Sequence, residues 1–276
     1  MSDKQFTACL LIVGNEILSG RTIDANLPHL AKRLNELGIR LNEARVVADT
    51  EAAIVKAVNE TRASHDYVFT TGGIGPTHDD ITSGSVAKAF GVKLERNPEA
   101  VRRLERHYPP GALNKARLRM AEIPAGAALI DNPVSAAPGF RLGNVFVMAG
   151  VPRIMQAMFE GIAPGLVGGK PVLTRSVSCT VGEGVLAKGL GEIQARHADV
   201  DIGSYPYFRM GGFGTSLVAR GTDPALLDKV IQEIAALIVS LGGAPSIDAM
   251  TSDGAADKPT NKPGPGAGAA SKPAAV

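Results

Sequence analysis

The sequence predicts an α/β protein: a parallel sheet with helices on both faces, followed by a smaller α+β unit. Three observations predict it. Short continuous apolar runs alternate with amphipathic segments over residues 8–91. Glycine or proline stands at most junctions between them. A glycine- and proline-rich stretch at 163–171 then separates this pattern from a second one with a β-α-β-β-α order.

The elements follow in order. Residues 8–13 are a continuous apolar run ending at Gly14, as a strand buried on both faces requires. Asp24 is placed to cap a helix in which Leu27, Leu30, Ala31, Leu34 and Leu37 share a face, and Gly38 closes it. Pro28 sits near its start, where a missing amide costs little. Residues 39–47 read as a second strand. Thr50 begins a helix with Ile54, Ala57, Val58 and Thr61 in register. Tyr67, Val68 and Phe69 make a third strand, and residues 81–90 a third helix closed by Gly91.

From 97 to 120 the chain is helical and rich in arginine, with a break at Tyr108-Pro109-Pro110-Gly111. Strands are expected at 128–130, 140–142 and 145–148. Ala149-Gly150-Val151-Pro152 then turns into a helix over 153–159, with Pro152 suited to the first helical position. In the second unit, a strand at 172–181 and a helix at 184–196 precede extended segments at 201–207 and 213–220. Asp223-Pro224 opens a helix whose apolar stripe is Leu226, Leu227, Val230, Ile231, Ile234, Leu237 and Ile238. The expected domains are residues 1–165 and 170–243, with 244–276 a disordered tail. From Asp253 onward no large apolar side chain precedes Val276, too little to offset the entropy of ordering.

Composition narrows the function. Of 276 residues, 45% are apolar and 20% charged, the balance of a soluble globular protein. Aromatics are 4% and tryptophan is absent, so stacking platforms for single-stranded nucleic acid are poorly supplied. A net charge of +2, spread along the chain, demands no nucleic-acid surface. Cys9 and Cys179 lie far apart in apolar settings. A structural zinc site needs about four ligands at close spacing, so the pair reads as buried free thiols in a reducing compartment. No apolar run reaches the roughly 18 residues of a membrane span, and no signal peptide is evident, so the cytoplasm is expected.

The segment that carries chemistry is Thr70-Thr71-Gly72-Gly73-Ile74-Gly75-Pro76-Thr77-His78-Asp79-Asp80. Its glycines permit backbone conformations that a Cβ blocks. Loop amides ahead of a helix start suit a phosphate. Asp79 and Asp80 would repel a bare phosphate, which points to a divalent cation between carboxylate and phosphate oxygens. In a parallel sheet ligands gather at the carboxyl ends of the strands, where Gly14-Asn15-Glu16, Ala48-Asp49-Thr50 and the glycine loop converge. Plain turn-making and helix capping are the competing readings for the glycines, Asp49, Asp79 and Asp80. His78 reads as an exposed loop residue more readily than a base. The arginines at 96–119 suit either phosphate pairing or a solvated helix face. Tyr205, Tyr207 and Phe208 read as core of the small domain rather than a base-stacking platform.

Several segments together resemble the molybdopterin-binding (MoCF biosynthesis) superfamily, and within it the N-terminal region of the CinA, or competence/damage-inducible protein A, family. They are Gly14-Asn15-Glu16-Ile17-Leu18-Ser19-Gly20, Asp24 with Asn26, the run 46–49, and the run 70–82. Asn114, Asn132-Pro133, Ala137-Pro138-Gly139 and Ala149-Gly150-Val151-Pro152 follow. The resemblance covers residues 6–165 and implies a three-layer α/β/α fold that binds a pterin phosphate or dinucleotide-like compound. It implies an oligomer. It puts the family's acidic positions, the expected catalytic acids, at Asp80 and Asp49; the paired carboxylates beside the loop place the expected metal, Mg²⁺ or another divalent cation, at Asp79 and Asp80. Ligand contacts fall on Gly14, Asn15, Glu16, Asn26, Gly72, Gly73, Gly75, Pro76, Thr77, Gly150 and Pro152.

Three activities are compatible with it. One is hydrolysis of a pyrophosphate bond of the ADP-ribose or FAD type. Another is adenylyl or molybdo-transfer in molybdenum-cofactor synthesis, with molybdopterin as ligand. The third is non-catalytic binding of a pterin or nucleotide. Two departures stand out. Ala149 replaces the family's proline, and Ile154 replaces a glutamate that commonly follows the turn. The amidase domain that completes full-length CinA is not in this sequence, so pyridine-nucleotide deamidation is not expected.

Overall fold

A computed structural model describes residues 4–209 and 212–252. In chain order the first unit comprises β1 (Phe6–Val13), α1 (Asn15–Leu18), α2 (Asn26–Glu36), β2 (Ile39–Val47), α3 (Glu51–Ser64), β3 (Tyr67–Thr71) and α4 (Thr82–Phe90). It continues through β4 (Leu94–Arg96), α5 (Pro98–His107), α6 (Lys115–Leu118), β5 (Glu122–Pro124), β6 (Ala128–Ile130), β7 (Gly139–Leu142), β8 (Val145–Met148) and α7 (Pro152–Ile162).

The main sheet has the order β2-β1-β3-β8-β7-β6. Strands β2, β1, β3 and β8 are mutually parallel, whereas β7 is antiparallel to both its neighbours. The strands of the first 90 residues are parallel as expected, and β7 and β6 add an antiparallel edge: only two residues connect β7 to β8, too few for a parallel crossover. Helices cover both faces. Ile54, Ala57 and Val58 of α3, Val86 and Ala89 of α4, and Ala100 and Leu104 of α5 form one core with Cys9, Leu11 and Val68. Leu30 and Leu34 of α2 and Met155, Met158 and Phe159 of α7 form the other with Leu10, Phe69 and Phe146. The architecture is the expected three-layer α/β/α sandwich.

The second unit contains β9 (Leu173–Cys179), α8 (Glu183–Arg196), β10 (Asp201–Arg209), β11 (Gly212–Gly221), α9 (Pro224–Ser240), β12 (Ser246–Ile247) and β13 (Thr251–Ser252). Its sheet is antiparallel, in the order β10-β11-β9-β12, with β13 also on β9. The expected disorder from residue 244 is corrected here, because β12 and β13 fill the edge of β9. Residues from 253 onward lie outside the described residues. Tyr205 and Phe208 are also corrected: they are 47% and 88% exposed on the β10–β11 hairpin, and the core forms instead from Val177, Leu217, Leu186, Ile193, Val230 and Ile234.

Proline at the first turn and Asp223 at the N-cap start α9, and Asp223 Oδ1 accepts from the amides of Ala225 at 2.9 Å and Leu226 at 3.3 Å. Asp223→Ala therefore costs about 1 kcal/mol of second-unit stability, measurable by urea unfolding. An unchanged midpoint would show that solvent replaces the cap without loss.

Candidate functional site

The parallel strands end along one edge, and short contacts tie their loops together there. The Gly14 amide donates to the Val47 carbonyl at 3.2 Å, joining the ends of β1 and β2. The Asn15 amide donates to Asp49 Oδ2 at 2.7 Å. Asp49 therefore fastens the first loop rather than capping α3. The Glu16 carboxylate folds back over Gly14, where an added Cβ would stand 2.7 Å from its oxygens.

Gly72 anchors the other half of the edge. Its amide donates to the Met148 carbonyl at 3.2 Å, and its φ of 101° belongs to glycine. A Cβ there would collide with the Val13 carbonyl, and one on Gly150 would lie 3.2 Å from Gly72 Cα. Buried Asn26 donates through Nδ2 to the Gly150 carbonyl at 2.8 Å, while its Oδ1 is buried with no partner. Pro152 opens α7 two residues beyond. The structure thus brings Gly14, Asn15, Glu16 and Asp49 together, and likewise Gly72, Gly150 and Asn26.

The glycine loop is closed by its own carboxylate. Asp80 Oδ2 accepts from the Thr77 amide at 2.8 Å and the Thr77 hydroxyl at 2.6 Å. Gly75 permits this approach, since a Cβ would stand 2.6 Å from that oxygen. Gly73, at φ 68°, packs against Thr82 and accepts the Thr82 amide at 2.9 Å through its carbonyl. The third helix forms where expected, α4 beginning at Thr82 with Ile81 at its N-cap, but the capping reading of Asp79 and Asp80 is corrected: no side chain caps it. Among the described residues, the amides of Gly73, Ile74 and Gly75 have no protein acceptor, whereas that of Thr77 is already taken.

A cavity of about 210 Å³ opens beside this loop, lined by Gly75, Asp80, Ser83, Gly84, Arg119 and others. The first-turn amides of α4 supply positive potential at its wall. Arg119 makes no ion pair among the described residues, its guanidinium acting on Asp79 only at longer range, whereas Arg96, Arg102, Arg103 and Arg106 are bound to Glu122, Glu99 or Asp131, and Arg117 donates to the Ala112 carbonyl and lies over the Tyr108 ring. The sequence marked these arginines only as a group. Which one is available follows from the turn after α6, and no periodicity predicts that. A larger cavity of about 1010 Å³ lies between the two units, lined by Lys32, Arg40, Asp201 and others, and none of the expected site residues borders it.

The acids are less concentrated than expected. Among the described residues, Asp49, Asp79 and Asp80 do not gather into a three-ligand cluster. Asp79 and His78 are exposed. The Asp79 carboxyl is held below the usual range, first by the Thr77 hydroxyl and then by its own backbone amide. The hydrogen bond that the hydroxyl makes runs to Asp80. Ile154 packs into the α2–α7 core, so a carboxylate at this position would meet apolar neighbours.

Comparison with known proteins accords with this geometry. The family described as "Probable molybdopterin binding domain" matches residues 9–168, and "FAD synthase, middle domain" matches 171–241. A protein of Pyrobaculum arsenaticum is 34% identical over 255 residues, covering 86% of this chain and 96% of that protein. A CinA-like protein of Citrifermentans bemidjiense is 42% identical over 166 residues, covering 58% of this chain. The chain spans only 40% of that relative, and 64% of a Pyrobaculum calidifontis protein. The crystal structure of CinA from Thermoplasma acidophilum, a protein of unknown function by its description, matches 58% of this chain and 96% of its own. Its TM-score is 0.55 and its identity 34%. With a family match across more than half its length and a CinA fold around the glycine loop, the chain belongs to the probable molybdopterin-binding domain family, as a CinA-like member.

Proposed function

We propose that the chain binds a nucleotide or pterin phosphate at the glycine loop and, with a divalent metal, hydrolyses a pyrophosphate bond of the ADP-ribose or FAD type. The observation that carries this reading is the cavity where α4's uncapped first turn, the acceptor-free loop amides and unpaired Arg119 meet. Backbone amides would hold one phosphate and Arg119 would pair with its neighbour. Asn26 Oδ1 offers a buried acceptor at the same edge. The match of the second unit to the middle domain of FAD synthase supports a substrate with an ADP half.

Mg²⁺ fits the donor set: it takes one or two carboxylates and completes its shell with phosphate oxygens and water. Asp80 would contribute Oδ1, which makes no hydrogen bond among the described residues, while its Oδ2 holds the loop shut. Asp79 stands next to it in sequence. When bound, the metal would neutralise charge developing on the phosphoryl group. Asp49 would act through the Asn15 loop that it fastens. Among the described residues no helix is long and apolar enough to cross a membrane; the proposed setting is the cytoplasm, with the chain in a homo-oligomer.

A non-catalytic binding module is the second reading, favoured by the scattered acids and by Ile154 turned into the core. Calorimetry against ADP-ribose, FAD, ATP and molybdopterin, with and without Mg²⁺, separates these readings when paired with product analysis. Arg119→Ala is expected to weaken the ligand that binds by about 10–100-fold, the worth of one charge-assisted pair. Affinity unchanged in that variant would remove the phosphate from the cavity.

A further inference from the structure

We propose that Cys9, Glu43 and His65 form a second metal site, for a transition-metal dication of the zinc or cobalt class. Their ligand atoms all lie within 4.8 Å of one another, the one such cluster among the described residues. His65 Nε2 stands 3.5 Å from Glu43 Oε2. In tetrahedral zinc sites, nitrogen and oxygen ligands at about 2.0–2.1 Å from the metal stand about 3.3 Å apart. The pair is therefore already near ligand spacing, with the Cys9 sulfur alongside.

The surrounding groups orient each ligand. His65 Nδ1 lies 2.9 Å from Ser64 Oγ and 3.1 Å from the Thr61 carbonyl; with the Ser64 hydroxyl donating to the Glu60 carbonyl at 3.0 Å, both neighbours accept, which places the proton on Nδ1 and leaves Nε2 of the neutral ring its lone pair. Arg45 Nε occupies Glu43 Oε1 at 2.5 Å, leaving Oε2 for the cluster, and Glu60 in turn pairs with Arg45. Backbone register completes the arrangement. In β1 and β2, Ala8 pairs with Leu41 but Cys9 pairs with Glu43, so a bulge leaves Asn42 as the extra residue. That bulge carries Glu43 from the face of Leu41 to the face of Cys9, where His65 follows the last residue of α3. Such bulges re-aim side chains at functional positions.

Cys9 is buried, with its thiol pushed up to about 12, mainly by burial and then by the Glu43 carboxylate. The Glu43 carboxylate, which adds to that shift against the opposing Arg45 guanidinium, would itself be a ligand of the cation, and the thiol proton leaves to solvent as the sulfur–metal bond forms. Half-buried Glu43 provides the way in. The site is separate from the glycine loop: Cys9 lies four residues, about 13 Å of strand, before the end of β1. The competing arrangement is an imidazolium–carboxylate pair that gives the thiol no part.

The test is titration of the reduced full chain with Co²⁺, following thiolate-to-cobalt charge transfer in the near ultraviolet, with Zn²⁺ as competitor. With only two cysteines in the chain the assignment is direct. One equivalent should give the band, Zn²⁺ should abolish it, Cys9→Ser should lack it and Cys179→Ser should keep it. His65→Gln and Glu43→Gln should each weaken cobalt affinity by at least about tenfold, with unaltered circular dichroism showing that they fold. An all-oxygen Mg²⁺ site at the glycine loop yields no such band, so the two sites are judged separately. Absence of the band in the wild-type chain, or its persistence in Cys9→Ser, would overturn the proposal. If Cys9→Ser does not fold, undiminished affinity in both His65→Gln and Glu43→Gln does the same.

Discussion

Truncating Phe69 to alanine is expected to lower the stability of the first unit by about 3–5 kcal/mol, an effect on the scale of a small domain's whole stability. Phe69 is completely buried in the middle of β3. Its ring lies 5.3 Å from that of Phe146 and meets Phe159 edge-on at 5.7 Å, with Tyr67 stacked at 6.2 Å. These rings bond the central strand to β8 and α7, so the cavity left behind is walled on three sides by elements that cannot collapse into it. The effect reaches the site because β3 leads directly into Gly72. The second unit has a core of its own, in which none of these rings takes part. Urea unfolding should therefore show an early transition for the first unit beside a little-changed one for the second. A loss below about 1 kcal/mol would mean that the neighbouring rings close the gap.

The strands and helices around Phe69 were legible because burial on both sheet faces leaves a continuous apolar run, and Ile54, Ala57, Val58 and Thr61 mark one helix face without ambiguity. What escaped was short or polar. Strand β4 is three exposed residues, Leu94–Arg96, which pair with β5 across 26 to 30 residues of sequence. Strands β12 and β13 are held by the open edge of β9 rather than by their own composition. The same limit applies to the chemistry. Glycines at 72, 73 and 75 and the acids near them are contiguous, so a sequence shows that they share a loop. It does not show that Asp80 turns back to Thr77 instead of forward to α4, because both are plausible reaches for a carboxylate. Nor does it show Cys9 beside Glu43 and His65, since that contact depends on a bulge one residue long.

In the proposed function the two oxygens of Asp80 would have different work, Oδ2 holding Thr77 and Oδ1 a cation, and this predicts a separation between two substitutions. Asp80→Ala removes the acceptor for the Thr77 amide and hydroxyl, leaving both to solvent and releasing the loop. Ligand affinity and turnover should then fall together. Asp80→Asn keeps an oxygen of the same shape for Thr77 but has no charge for a cation. Ligand should still bind to the intact loop, while Mg²⁺-dependent hydrolysis of ADP-ribose or FAD drops by about a hundredfold or more, the scale seen when one electrostatic contact to a transition state is lost. Gly75→Ala supplies an independent check. Its Cβ would press on the Asp80 carboxylate at 2.6 Å, so it should reproduce the alanine variant without touching an ionisable group. Steady-state kinetics with Mg²⁺ varied, read beside calorimetric affinities, distinguishes the three. Full metal-dependent turnover in Asp80→Asn would reduce this residue to a loop fastener and hand the metal to other oxygens.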